Sequence, residues 1–62
     1  MSQQEERLPR ILIVEDDERL ASLTQEYLIR NGLQVAIETD GNRAIRRILS
    51  EQPDLVVLDV ML

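Results

Sequence analysis

Arg10-Ile11-Leu12-Ile13-Val14-Glu15-Asp16-Asp17 is an unbroken aliphatic run, three of its four apolar residues β-branched, that stops abruptly in three acids. A short run with no polar alternation reads as a strand covered on both faces, which is the pattern of a parallel sheet sandwiched between helices. The acids then leave that strand at its carboxyl end.

Downstream, Leu20, Leu23, Tyr27 and Leu28 recur at helical spacing from about Asp17 to Asn31, and Asn31-Gly32 supplies the C-terminal stop. This predicts an amphipathic helix of roughly four turns, with the Tyr27 ring against the sheet and its hydroxyl at the solvent margin. Leu33, Val35 and Ile37 alternate with Gln34, Ala36 and Glu38, the period-two pattern of an edge strand with one more polar face. Asp40-Gly41 forms a turn in which Asp40 caps a second helix with Ala44, Ile45, Ile48 and Leu49 on its apolar side. Arg43, Arg46 and Arg47 fall largely on the other side and read as a solvated face. Pro53 ends the helix. Leu55 to Leu58 form a third strand, read as fully buried, that runs into Asp59.

The order strand, helix, strand, helix, strand, with connections long enough to return each strand parallel to the last, is one half of a doubly wound α/β sheet. The first and third runs are apolar throughout and the second alternates, so the spatial order is second, first, third. Right-handed crossovers then place the helices on opposite faces.

A chain of 62 residues buries only about 60% of the surface its unfolded form exposes. Without cysteine or histidine it has no disulfide and no zinc or copper ligand set, leaving oxygen donors that suit magnesium, calcium or manganese. Twelve acids against seven bases, all arginine, give a net charge of -5, which repels a nucleic-acid backbone. Residues 1–9 read as a flexible polar tail without the apolar segment of a signal peptide or membrane span, so a cytoplasmic location without membrane contact is expected.

In an open parallel sheet, ligands bind beyond the carboxyl ends of the strands where the winding reverses. Here that point lies between strands one and three, roughly 4.8 Å apart if paired, and Glu15, Asp16 and Asp59 converge on it. Like charges so placed raise a pKa or recruit a cation, and oxygen-only donors favour Mg2+. The metal would offset the repulsion between a carboxylate nucleophile and a phosphoryl group, letting Asp59 form an acyl phosphate. The plainer account is that Glu15, Asp16 and Asp17 cap the first helix and favour its dipole. For Asp17, in the N-cap position, that account is preferred; for Glu15 and Asp16, the arrival of Asp59 at the same edge reverses it.

The segments Ile11-Leu12-Ile13-Val14-Glu15-Asp16-Asp17 and Pro53-Asp54-Leu55-Val56-Val57-Leu58-Asp59-Val60-Met61-Leu62 closely resemble the receiver domains of bacterial two-component response regulators. The likeness runs from about Arg10 to the last residue, and the Asp-Val-Met-Leu ending looks most like transcription factors of the OmpR type. The resemblance implies a flavodoxin-like fold with residues 10–62 as the N-terminal half of a receiver domain. It makes Asp59 the phosphoacceptor and Glu15 and Asp16 the acidic metal pair. Met61 becomes a ligand through its backbone carbonyl, a sensor histidine kinase the donor, and Mg2+ the cofactor. The chain would take part in its own phosphoryl transfer without being an enzyme, and would touch DNA only through a domain absent from these residues.

Receiver domains normally have five strands and five helices. The family's switch Ser/Thr after strand four, its aromatic switch on strand five and its later lysine have no counterpart here, and the chain contains no lysine. A third strand without an outer neighbour exposes unpaired backbone groups, so a homodimer through that edge is expected, and a self-associating structural module without phosphorylation switching is the alternative function. A dinucleotide binder lacks its Gly-rich turn here. A haloacid-dehalogenase-like phosphatase would want an acid where Met61 stands.

Overall fold

The computed structural model describes residues 7–58 and contains β1 (Arg10–Val14), α1 (Glu18–Arg30), β2 (Gln34–Glu38), α2 (Gly41–Glu51) and β3 (Leu55–Leu58). The strands form one parallel sheet in the order β2-β1-β3, as the apolar patterning predicts. Arg10 to Val14 pair in sequence with Gln34 to Glu38, and Ile11 to Val14 with Leu55 to Leu58.

Because strand side chains alternate, β1 feeds two separate cores. Ile11 and Ile13 pack with Ala21 of α1, joined by Leu28, Leu33, Val35 and Ile37. Leu12 and Val14 pack with Ala44 of α2, joined by Ala36, Ile48 and Val56. The helices therefore lie on opposite faces, and all four aliphatic residues of β1 are buried, Leu12 to 1% exposure.

Local chemistry sets the helix ends. The Asp17 carboxylate accepts from the Arg19 and Leu20 amides at 3.0 and 3.1 Å, satisfying two of the donors a helix start leaves open. At the other end the Gly32 amide donates to the Ile29 carbonyl and the Leu33 amide to the Leu28 carbonyl. This paired closure needs a left-handed residue, and Gly32 supplies it at φ 86°. Asp40 caps α2 through the Asn42 amide at 2.8 Å. Gln52, at φ 49°, ends α2 just before Pro53.

Three expectations need correction. The α1 stripe is rotated: Leu20, Leu23 and Tyr27 are exposed, Tyr27 to 67%, while Ala21 and Leu28 face the sheet. The Tyr27 ring therefore does not pack on the sheet. On α2, Ala44 and Ile48 face inward while Ile45 and Leu49 are exposed. Finally, β3 is not buried on both faces, since Leu55 and Leu58 are more than half exposed. Both helices pack over β1 and β2, and an apolar run cannot say which strand the helices cover.

The two sheet edges differ. On β2 the outward carbonyls are capped by side chains, Val35 by Gln25 Nε2 and Ile37 by Arg47 Nη1, each at 2.9 Å. Among the described residues no side chain hydrogen-bonds the backbone of β3.

The stretch read as a flexible tail is partly described. The Pro9 carbonyl accepts from the Gln34 amide at 2.9 Å, and Arg7 lies 3.5 Å from Asp54. Residues 1–6 lie outside the described residues.

Candidate functional site

The acids after β1 leave the sheet at its carboxyl edge, where the register sets Val14 beside Glu38 on one side and Leu58 on the other. The Glu15 amide donates to the Glu38 carbonyl at 3.1 Å, carrying the β1–β2 ladder one residue beyond β1. Glu15 is half-buried, and its carboxylate accepts from the Asp17 amide at 3.0 Å. Asp16 is exposed, and its carboxylate forms no hydrogen bond or ion pair among the described residues. Asp17 is committed to its helix cap, the role preferred for it from sequence.

Asp59 follows Leu58 in the chain, and Asp59 and Met61 both lie outside the described residues. Among the described residues no three acidic side chains form a metal-binding group, and of the expected ligands Glu15 and Asp16 are the two that are described. Their donor set is oxygen only, at the end of the central strand with the Asp16 carboxylate uncommitted among the described residues, and such a set fits a hard divalent cation. A concavity of about 230 Å3 at the other end of the strands, lined by Arg10, Gln34, Glu51 and Pro53, is a separate feature.

Sequence reading missed Glu38 and Arg47. Glu38 is the one buried charged residue among those described, at 6% exposure. Its carboxylate accepts from the Asp40 amide at 2.9 Å and meets Arg47 Nη1 at 3.4 Å. Arg47, assigned above to a solvated face, is largely covered. Its Nε and Nη2 grip Glu51 at 2.9 and 3.2 Å. The hydrogen bond to Glu51 holds the Arg47 pKa above and the Glu51 pKa below their ordinary values. Two signals were available: Glu38 shares a strand face with Ala36, and Arg47 and Glu51 have i,i+4 spacing.

At the far end of β1, the Arg10 amide donates to the Asp54 carboxylate at 2.7 Å and the Asp54 amide to the Arg10 carbonyl at 2.8 Å. The Arg10 bond, with Arg7 nearby, lowers the Asp54 pKa. The Arg10 guanidinium also donates to the Glu51 carbonyl.

Among the described residues no helix is long and apolar enough to cross a membrane. The chain is 45% identical over 53 residues to the alkaline phosphatase synthesis transcriptional regulatory protein PhoP of Bacillus subtilis, covering 86% of this chain and 22% of that protein. It is 48% identical over 52 residues to the transcriptional regulatory protein RstA of Escherichia coli, covering 84% and 22%. It is 43% identical over 53 residues to the response regulator MprA of Mycolicibacterium vanbaalenii, covering 86% and 23%. The chain thus spans little more than a fifth of the length of these relatives.

The response regulator receiver domain model matches residues 11–62, from the first buried residue of β1 through the acids after it to the end of the sequence. Together with the parallel β2-β1-β3 sheet, this match establishes that the chain belongs to the response regulator receiver domain family.

Proposed function

We propose that this segment accepts a phosphoryl group from a histidine kinase on Asp59, with Mg2+ held by Glu15, Asp16, Asp59 and the Met61 carbonyl, in a parent protein that regulates transcription. One observation supports the reading: the β1–β3 register pairs Val14 with Leu58, and the next residues in the sequence are Glu15 and Asp59. Bound Mg2+ supplies charge neutralisation at the phosphoryl oxygens. The rest falls to the chain. An Asp59 carboxylate oxygen forms the new P–O bond as the P–N bond to the donor histidine breaks, and the electron pair returns to the imidazole nitrogen. Asp16, which makes no hydrogen bond or ion pair among the described residues, turns toward the metal, while Asp17 keeps the start of α1 closed. The segment is a phosphoacceptor and not an enzyme with turnover. Magnesium-dependent labelling by a small phosphodonor, with Asp59→Asn as control, tests the assignment.

A second reading is favoured by the contrast between the sheet edges. The β2 carbonyls are capped by Gln25 and Arg47, whereas β3 has no such cover among the described residues and exposes Leu55, Val57 and Leu58. An uncapped apolar edge pairs with another strand. Two copies related by a two-fold axis satisfy both edges, giving a homodimeric module that need not switch.

A further inference from the structure

We propose that Glu38 and Arg47 are positioning residues for the metal site, acting through the Glu38 backbone on the loop that carries Glu15 and Asp16. The proposal rests on the metal reading above and adds two residues to it, neither of them a ligand.

Glu38 joins three parts of the molecule at the carboxyl edge of the sheet. Its carbonyl accepts from the Glu15 amide, its carboxylate accepts from the Asp40 amide, and the same carboxylate meets Arg47 from α2. Arg47 is held in turn by two bonds to Glu51 and one to the Ile37 carbonyl. A guanidinium fixed at several points cannot drift, and it sets where the buried carboxylate lies. The line Arg47, Glu38, Glu15 therefore runs from the middle of α2 to a proposed ligand.

Among the described residues Arg47 is the one base that meets the buried Glu38 carboxylate. With Arg47 gone, Glu38 is a buried, uncompensated carboxylate. It would turn out to water, release the Asp40 amide and loosen the strand end that accepts the Glu15 amide. Groups hydrogen-bonded directly to metal ligands typically account for about 10–100-fold in metal affinity, and a brace acting through the backbone falls at the lower end of that range.

The role can be told apart from two simpler ones. If Arg47 merely stabilised the fold, Arg47→Met would lower Tm and leave the affinity of the folded chain unchanged. If its positive charge merely raised the local potential, removing it would tighten cation binding. A positioning role weakens binding, and removing the buried charge as well by Glu38→Gln restores it, because the neutral amide still offers an acceptor oxygen to the Asp40 amide.

The test uses the full chain with Mn2+ as a paramagnetic probe, read by electron paramagnetic resonance at a temperature where each variant is folded by circular dichroism. Arg47→Met is expected to weaken Mn2+ binding about tenfold, and Glu38→Gln with Arg47→Met to return it to within about threefold of wild type. Unchanged or tighter binding in Arg47→Met overturns the proposal, as does a double variant no better than the single one. A wild type that binds no Mn2+ removes the metal reading itself and the brace with it. A wild type that binds Mn2+ but takes no phosphoryl group removes only the phosphoacceptor assignment.

Discussion

Val14 lies opposite Leu58 across the parallel pairing of β1 and β3. The chain positions that follow are 15 and 59, both acidic, and the proposed chemistry requires their carboxylates to meet. Asp59→Asn should abolish magnesium-dependent labelling by acetyl phosphate. Asp16→Asn should reduce it by an order of magnitude or more, recoverable in part at high Mg2+, because it removes a ligand and not the acceptor. Equal labelling of Asp59→Asn and wild type would sink the assignment.

Asp17 separates capping from catalysis. Asp17→Ala removes the acceptor of the Arg19 and Leu20 amides and should cost about 1 kcal/mol, a fall in Tm of roughly 4–8 °C for a domain this small. Asp17→Ser should recover most of that stability. Thermal melts followed at 222 nm would decide it.

Stability should fall on acidification through two identifiable carboxylates. Glu51 is held below its ordinary pKa by the bond from Arg47, and Asp54 by the bond from the Arg10 amide. A depressed folded pKa means that the unfolded chain takes up the proton first as pH drops. Their contribution is complete above the ordinary carboxylate range and is lost as pH falls through the lower folded values. Tm measured from about pH 6 to pH 2 should decline below the ordinary carboxylate pKa, and Glu51→Gln with Asp54→Asn should flatten that decline.

The uncapped β3 edge predicts a mass. At micromolar concentration the wild-type chain should sediment above its monomer mass of 7.2 kDa. Val57→Lys, which sets a charge on an exposed strand position, should return it to monomer. A wild-type monomer with a cooperative melt is the result that excludes self-association.

Much of this fold is legible in the residues because particular runs admit few readings. Ile11 to Val14 are apolar at every position while Leu33 to Glu38 alternate, and that contrast puts β2 at the edge and β1 inside it. Asp17, Gly32 and Asp40 stand where local hydrogen bonding requires them. What escapes is cover supplied from a distance. Leu55, Val57 and Leu58 are as apolar as β1 yet exposed, and of β3 it is Val56 that joins the core on the α2 face. On α1, Leu20, Leu23 and Tyr27 satisfy helical spacing as well as Ala21 and Leu28 do, and only docking on β1 and β2 selects the second set. The site divides the same way: the acids after β1 are visible by their position, whereas Glu38 and Arg47 are defined by a tertiary pairing between β2 and α2.

The central place of β1 also has a consequence for synthesis. β1 leaves the ribosome first, yet its partner Leu55 follows Ile11 by 44 residues, a wait of roughly 2–9 s at ordinary elongation rates. Throughout that interval the most apolar stretch of the nascent chain lacks one of its two neighbours. Glu15, Asp16, Asp17 and Glu18 follow it directly, and consecutive charges flanking an aggregation-prone strand act as gatekeepers against premature intermolecular pairing. The carboxylates proposed to hold a cation in the folded domain thus guard its central strand before the domain exists.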